Sequence, residues 1–373
     1  MTEQGATPIR AHHVGSLIRP NELIKARDAF NDKEITEAEC RKIQEAAIRD
    51  VVKLQEDIGY RIVTDGEYNR NRWHADFLLK FDNVALIPSK VPVKFHSAQG
   101  VREHKPPTME IRGRLGRSKP IFLDDFKFLK SVTHETPKVT IPSPSILHFR
   151  GGRDTIDRKA YPAIDDFYDD VARVYREEIG DYVKAGCRFV QIDEVNLAYL
   201  CDPELREHVR SLGEDPETLP ATYAALLNNT VAGLPGDVTP AMHLCRGNFA
   251  GAWVAEGGYD PIAELLFNGI NIRTYYLEYD SDRAGGFEPL RFLPKGKMAV
   301  LGLVTTKAGT LETKDALKRR IDAAARFAPI EQLALSPQCG FSSGVGGNAM
   351  SVEEEIAKLR LVVEVSREVW GSA

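Results

Sequence analysis

The chain is poor in the features that define several large protein classes. It has only five cysteines in 373 residues, Cys40, Cys187, Cys201, Cys245 and Cys339, odd in number and widely spaced. This excludes a dense disulfide framework and leaves packing, metal binding or catalysis as their uses. No stretch approaches the ~20 consecutive apolar residues that a membrane-spanning helix needs. There is no excess of positive charge: the net charge is −5, so no basic surface is offered to nucleic acid or anionic lipid. Residues 1–15 have no apolar core of a secretory signal. Repeats and low-complexity tracts are missing. These absences point to a cytoplasmic protein with no nucleic-acid or membrane partner.

What is present fits a large folded core, with 43% hydrophobic and 28% charged residues. Eight short runs rich in Val, Ile, Leu or aromatics end in Gly, Pro, Ser, Thr or a charge. They occupy residues 9–16, 61–67, 138–144, 188–194, 237–245, 271–279, 297–306 and 331–340. Helical periodicity fills most gaps. Residues 36–58 place Ile43, Ala47, Val51, Leu54 and Ile58 on one face, and residues 164–185, 313–326 and 352–369 repeat the pattern. Eight strands alternating with helices predict a single α/β domain over 1–373, a (β/α)8 TIM barrel. A doubly wound open sheet is the competing reading. The barrel is favoured by the count of eight and by where the polar chemistry falls. Ser16, Glu67, Ser143, Asp193, His243, Cys245, Glu278, Thr305 and Cys339 all lie at or just past the C-terminal end of a run. In a closed barrel those ends meet at one face. Residues 73–135 separate the second and third strands by far more than one helix needs, and are expected to form an insertion, a lid or an oligomer contact.

The most informative local sequence is Met242-His243-Leu244-Cys245. A strand alternates its faces, so His243 and Cys245 point the same way. Imidazole and thiolate are both zinc ligands. Cys339 and Glu278 end the eighth and sixth strands, which border the same mouth. One nitrogen, two sulfurs and one oxygen suit zinc better than magnesium or calcium. Such a set favours thiol chemistry. Deprotonating a thiol with a pKa near 8.5 costs roughly 2 kcal/mol at pH 7, and metal coordination removes that cost. Glu67 and Asp193 suit a primary ammonium, while Asp193 with Glu194 also reads as an acid/base pair or a salt bridge. Lys307 and His148 are candidate proton donors. Trp73, Phe249 and Trp253 are candidates to stack on a planar ligand.

These residues occur in a known order. Val14-Gly15-Ser16, Asp65-Gly66-Glu67, Gln191-Ile192-Asp193-Glu194, His243-x-Cys245, Glu278 and Cys339-Gly340 resemble the cobalamin-independent methionine synthase family. Arg10-Ala11-His12-His13, the run Trp73-His74-Ala75-Asp76-Phe77 and residues 287–294 look like its short, single-barrel form. The resemblance implies zinc-dependent transfer of a methyl group to homocysteine, giving methionine. It implies that His243, Cys245, Glu278 and Cys339 hold the metal. It further implies that Ser16 receives the homocysteine carboxylate and that Glu67 and Asp193 receive its ammonium. The methyl donor is expected to be 5-methyltetrahydrofolate or another donor.

Two departures stand out. The second, N-terminal barrel of the long form, which helps hold the folate, has no counterpart here. The long form also has a histidine after the seventh strand, where this chain has Thr305-Thr306-Lys307. Three other readings stay open. An alkyltransferase could act on a different, coenzyme M-like thiol. The chain could bind zinc or a thiol without catalysis. A metal-free barrel could decarboxylate porphyrins, for which Arg246 and Arg273 would be the arginines near the mouth. A homodimer is the expected assembly if the insertion serves one.

Overall fold

The computed structural model describes residues 8–89, 93–97, 100–248, 251–342, 344 and 350–373. Phe249 lies outside the described residues, as do residues 1–7 at the start of the chain.

Seven parallel strands form one curled sheet in chain order: β1 (Ile62–Val63), β2 (Thr136–Pro142), β3 (Phe189–Glu194), β4 (Thr239–Leu244), β5 (Thr274–Glu278), β6 (Met298–Val304) and β7 (Leu333–Pro337). The eighth place belongs to residues 10–17. They touch β7 through the single parallel bridge Ala11–Leu335 and reach the other edge through Leu17 N–H, which donates to the Gly66 carbonyl at 3.0 Å. The sequence predicted a full strand here, and the structure reduces it to one bridge. Side chains replace the missing ladder. Lys138 Nζ donates to the carbonyls of His13 at 2.5 Å and Val14 at 3.0 Å, and Gln191 Nε2 donates to Val14 at 2.7 Å. Buried backbone acceptors need partners, and here the partners come from β2 and β3. Burial drives the Lys138 ammonium down to about 7.

The barrel is filled, as closed eight-stranded barrels are. Val14, Ile62, Phe189, Ala241, Tyr276, Val300 and Ala334 form an inner apolar layer, apart from the larger core between sheet and helices. A strand repeats every second residue. Two residues beyond Gln191, Ala241 and Tyr276 on the same faces come Asp193, His243 and Glu278, so the apolar plug is the floor on which the polar site stands.

The helices close around this sheet. Glu37–Ile58 starts with a capping box between Thr36 and Glu39 and ends at Gly59 with φ 108°. Its buried stripe is Cys40, Gln44, Ile48, Val51, Val52, Gln55 and Ile58. Ile43, which the sequence placed on this face, is 37% exposed. The true stripe is rotated by about one residue, because Gln44 and Gln55 are buried too; Gln55 bonds both the N–H and the carbonyl of Thr64. Helices Ile164–Lys184, Lys314–Ala324 and Val352–Trp370 fall where the periodicity predicts.

Between β1 and β2, the expected insertion holds two antiparallel ribbons, Asp82–Ile87 with Thr108–Gly116 and Val93–Ser97 with Gly100–His104, followed by the helix Leu123–Val132. The second ribbon reaches the loop after β4. His96 N–H donates to the Trp253 carbonyl at 2.7 Å and Trp253 N–H returns the bond at 2.9 Å.

Candidate active site

Three of the four expected ligands converge. His243, Cys245 and Cys339 each offer a donor atom, all within 4.8 Å of one another. The two sulfurs are 3.5 Å apart. Neither ring nitrogen of His243 has a hydrogen-bond partner of acceptable geometry among the described residues. A buried imidazole with both nitrogens unpaired is costly, and a metal ion would satisfy one of them. The hydrogen bond between the two sulfurs acts in opposite senses: Cys339 is pulled well down by it and by His243, while Cys245 is pushed well up by it and by burial. Soft, paired donors of this kind fit a divalent metal such as zinc.

Glu278 stands at the same strand end but is not part of that three-residue group. Its Oε2 accepts from the Arg246 backbone N–H at 2.8 Å. Its Oε1 is paired with Arg283 and, at 3.3 Å, with Lys307. Burial works to raise its pKa, but Lys307, Arg246 and Arg283 outweigh it and hold the carboxyl far below its ordinary value. Lys307 also lies 3.8 Å from Asp280.

Three further residues singled out by the sequence, Glu67, Asp193 and Ser16, lie at the same end of the barrel. Glu67 is buried and adopts φ 61° directly after Gly66 at φ 67°. A left-handed non-glycine costs about 1–2 kcal/mol. It is held by the Asp65 carboxylate accepting from its N–H at 2.9 Å, by Thr140 at 3.0 Å and by Arg70 at 3.3 Å. Its Oε2 has no hydrogen-bond partner among the described residues. Asp193 pairs in register with His243 and accepts from Gln191 at 2.7 Å. Burial, then the charge of Glu67, push it up to about 7. The two carboxylates are thus close enough for the charge of one to act on the other, and Glu67 keeps one oxygen without a hydrogen bond among the described residues. Ser16 lies beside the metal group's loop: its Oγ accepts from Ser342 N–H at 3.3 Å, and a Cβ on Gly340 would sit 2.0 Å from it.

Other expectations resolve differently. His148 is packed away, bonded to the Tyr223 hydroxyl at 2.9 Å. Trp73 packs at a tilt against His74, and Trp253 stacks beside His96 and under Arg283. Arg273 precedes β5 and so stands at the opposite end of the barrel from the site. Arg246 spends its guanidinium on the carbonyls of Gly257, Glu278 and Ala284. Neither arginine is placed to receive a polycarboxylate. The sequence reading missed Arg70, Thr140 and Arg283. Arg283 left a faint signal, a cation five residues after Glu278 in an acidic turn.

The sequence profile of the cobalamin-independent synthase catalytic domain matches residues 10–368. The chain belongs to this family. It is similar to an uncharacterized Bacillus subtilis protein, YxjH, with 41% identity over 99% of this chain and 96% of that one. It is similar in structure to a Listeria monocytogenes protein solved under the provisional name of a vitamin-B12-independent methionine synthase, with 34% identity, a TM-score of 0.78, and 99% and 100% of the two chains covered. A 5-methyltetrahydropteroyltriglutamate–homocysteine methyltransferase of Thermotoga petrophila is 23% identical over 95% of this chain, which spans 44% of that protein. The family is therefore a methyltransferase family of methionine-synthase type, and its barrel is the one seen here.

Proposed function

We propose that this chain transfers a methyl group to the thiol of homocysteine, forming methionine, with a zinc ion held by His243, Cys245 and Cys339 and Glu278 as the fourth expected ligand. The observation that supports the reading is the convergence of His243, whose ring nitrogens have no hydrogen-bond partner of acceptable geometry among the described residues, with two sulfurs 3.5 Å apart, at the strand ends that also carry Glu67 and Asp193. A zinc ion held there would keep a substrate sulfur in its thiolate form at neutral pH.

The chain's own groups then do the rest. Glu67 and Asp193 take the substrate ammonium, which relieves their mutual repulsion and fills the unused Glu67 oxygen. Ser16 donates to the substrate carboxylate. Together they fix the amino acid so that its sulfur faces the metal group. Asp193, whose pKa is raised, is also proposed to exchange a proton with the substrate. Lys307 is the proposed proton source for the leaving group, because a tertiary amine leaves poorly unless protonated. The donor is 5-methyltetrahydrofolate or another small or protein-borne methyl carrier. Glu67 and Asp193 disfavour a sulfonate thiol such as coenzyme M, which carries no ammonium. The protein is proposed to act in the cytoplasm, as a homodimer if the 73–135 insertion serves as a contact; among the described residues no helix is long and apolar enough to cross a membrane.

The test is methionine formation by zinc-loaded protein with homocysteine and each donor in turn. Methionine from one donor supports the proposal. No methionine from any donor, with metal present, refutes it.

A further inference from the structure

Arg19 follows Ser16 by three residues, is buried, and has no part in the chemistry described so far. Its guanidinium stitches two distant loops together. On one side Nη1 donates to the carbonyl and the hydroxyl of Ser342, both at 2.8 Å, and reaches the Gly344 carbonyl at 3.2 Å. On the other side Nη2 donates to the carbonyls of Glu67 at 3.1 Å and Arg70 at 3.0 Å. Each loop bears on one end of the proposed amino-acid subsite. Ser342 N–H donates to Ser16 Oγ at 3.3 Å, and Phe341 N–H donates to the Ser16 carbonyl at 2.9 Å. Glu67 is the residue held at φ 61°. A second buried guanidinium braces the same turn, with Arg27 donating to the carbonyls of Tyr68 and, at 3.0 Å, Arg70. A guanidinium presents its donors in fixed directions in one plane, which an ammonium does not, so an arginine sets the spacing of what it bonds.

We propose that Arg19 is a positioning residue that fixes Ser16 and Glu67 at one spacing and so selects thiols carrying a carboxylate and an ammonium on the same carbon. The inference rests on the amino-acid-thiol reading given above. The physical ground is preorganisation. A ligand gripped at two points gains from the second grip only if both receptors already stand at its spacing. A left-handed non-glycine persists only where its surroundings over-determine it, and Arg19 bonds the Glu67 carbonyl directly. Without the guanidinium the Glu67 and Ser342 carbonyls lose a donor in a buried place, and the two loops settle independently. A thiol with only one of the two charged groups needs no fixed spacing and is insensitive to that change.

The test measures binding by calorimetry, on full-length zinc-loaded protein, of homocysteine, 4-mercaptobutyrate, which lacks the ammonium, and 3-mercaptopropylamine, which lacks the carboxylate. Wild type is compared with Arg19→Met, Arg19→Lys, Ser16→Ala and the double variant Ser16→Ala/Arg19→Met, with zinc content and Tm read on each preparation. Arg19→Met should weaken homocysteine about tenfold, the size of one hydrogen bond to a charged group, and leave the two truncated thiols within about twofold. Arg19→Lys, which keeps the charge and loses the fork, should show the same loss of selectivity, and it carries the test if Arg19→Met does not fold. In the double variant the cost of Arg19→Met should largely vanish, because Ser16 is no longer there to be positioned. An equal loss for all three thiols, a cost that adds in full to that of Ser16→Ala, or unchanged homocysteine binding overturns the inference while leaving the amino-acid-thiol reading intact. A zinc-loaded wild type that binds homocysteine no better than the truncated thiols overturns both.

Discussion

Gly340 offers a way to damage one part of the site without touching the metal ligands. A Cβ there would lie 2.0 Å from Ser16 Oγ, 3.2 Å from Ser16 Cβ and 3.4 Å from Ser16 N. The hydroxyl can escape only by rotating about χ1, since its own Cβ and backbone are in tight contact with the new methyl. Gly340→Ala should therefore turn Ser16 away from the place assigned to the substrate carboxylate. A hydrogen bond to a charged group is worth about 1.5–3 kcal/mol, which corresponds to a rise in homocysteine KM of roughly 10- to 150-fold. The interaction is made equally in ground and transition states, so kcat should change little. The local overpacking should cost about 1–3 kcal/mol of stability, read as a lower Tm. The assay is methionine formation against homocysteine concentration, with zinc content measured on the same preparation. An unchanged KM with full zinc content refutes the placement of the carboxylate at Ser16. A loss of activity that merely follows a loss of zinc refutes the claimed separation of the two subsites.

Cys339→Ser should abolish both metal retention and turnover, because it removes the sulfur that pairs with Cys245; zinc analysis after desalting checks this. Lys307→Met should reduce turnover at least tenfold if Lys307 protonates the leaving group; unchanged turnover removes that role. Glu355 on the C-terminal helix is buried, accepts from Ile18 N–H at 3.0 Å, and burial pushes it from an ordinary 4.5 up to about 8. Between those values the folded state binds a proton that the unfolded chain has lost, so stability should fall as pH rises from about 4.5 to 8 and level off above. At ~1.36 kcal/mol per pH unit the effect is bounded at roughly 5 kcal/mol. Glu355→Gln should flatten that part of the pH–stability curve, and denaturant unfolding at pH 5 and pH 8 reads the difference.

The barrel was legible because its strands are short apolar runs that end in chemistry, and because a strand's period places His243 and Cys245 on one face. The places of β1 through β7 follow from that pattern, although the runs overshoot the strands, most at β1, where 61–67 shrinks to Ile62–Val63. The eighth strand was overestimated. Arg10 to Ser16 reads as a strand, yet the carbonyls of His13 and Val14 bond to Lys138 and Gln191 side chains, and such long-range substitution for a ladder leaves no local trace. Ile43 was misplaced because a buried glutamine is invisible to a hydrophobic pattern. The Glu278 environment was hidden for a similar reason. Its partners Arg283 and Lys307 come from loops after two different strands, and its third contact is the backbone of Arg246. Sequence order gave the ligand types; the balance of charge around each one depends on loops meeting in space.

Zinc K-edge X-ray absorption on the purified, zinc-loaded protein, recorded with and without homocysteine, tests the central claim most directly. The expected result is two sulfur neighbours at about 2.3 Å and a nitrogen at about 2.0–2.1 Å, with a third sulfur appearing when homocysteine is added. Zinc that is not retained, or a sulfur count that homocysteine leaves at two, would contradict it.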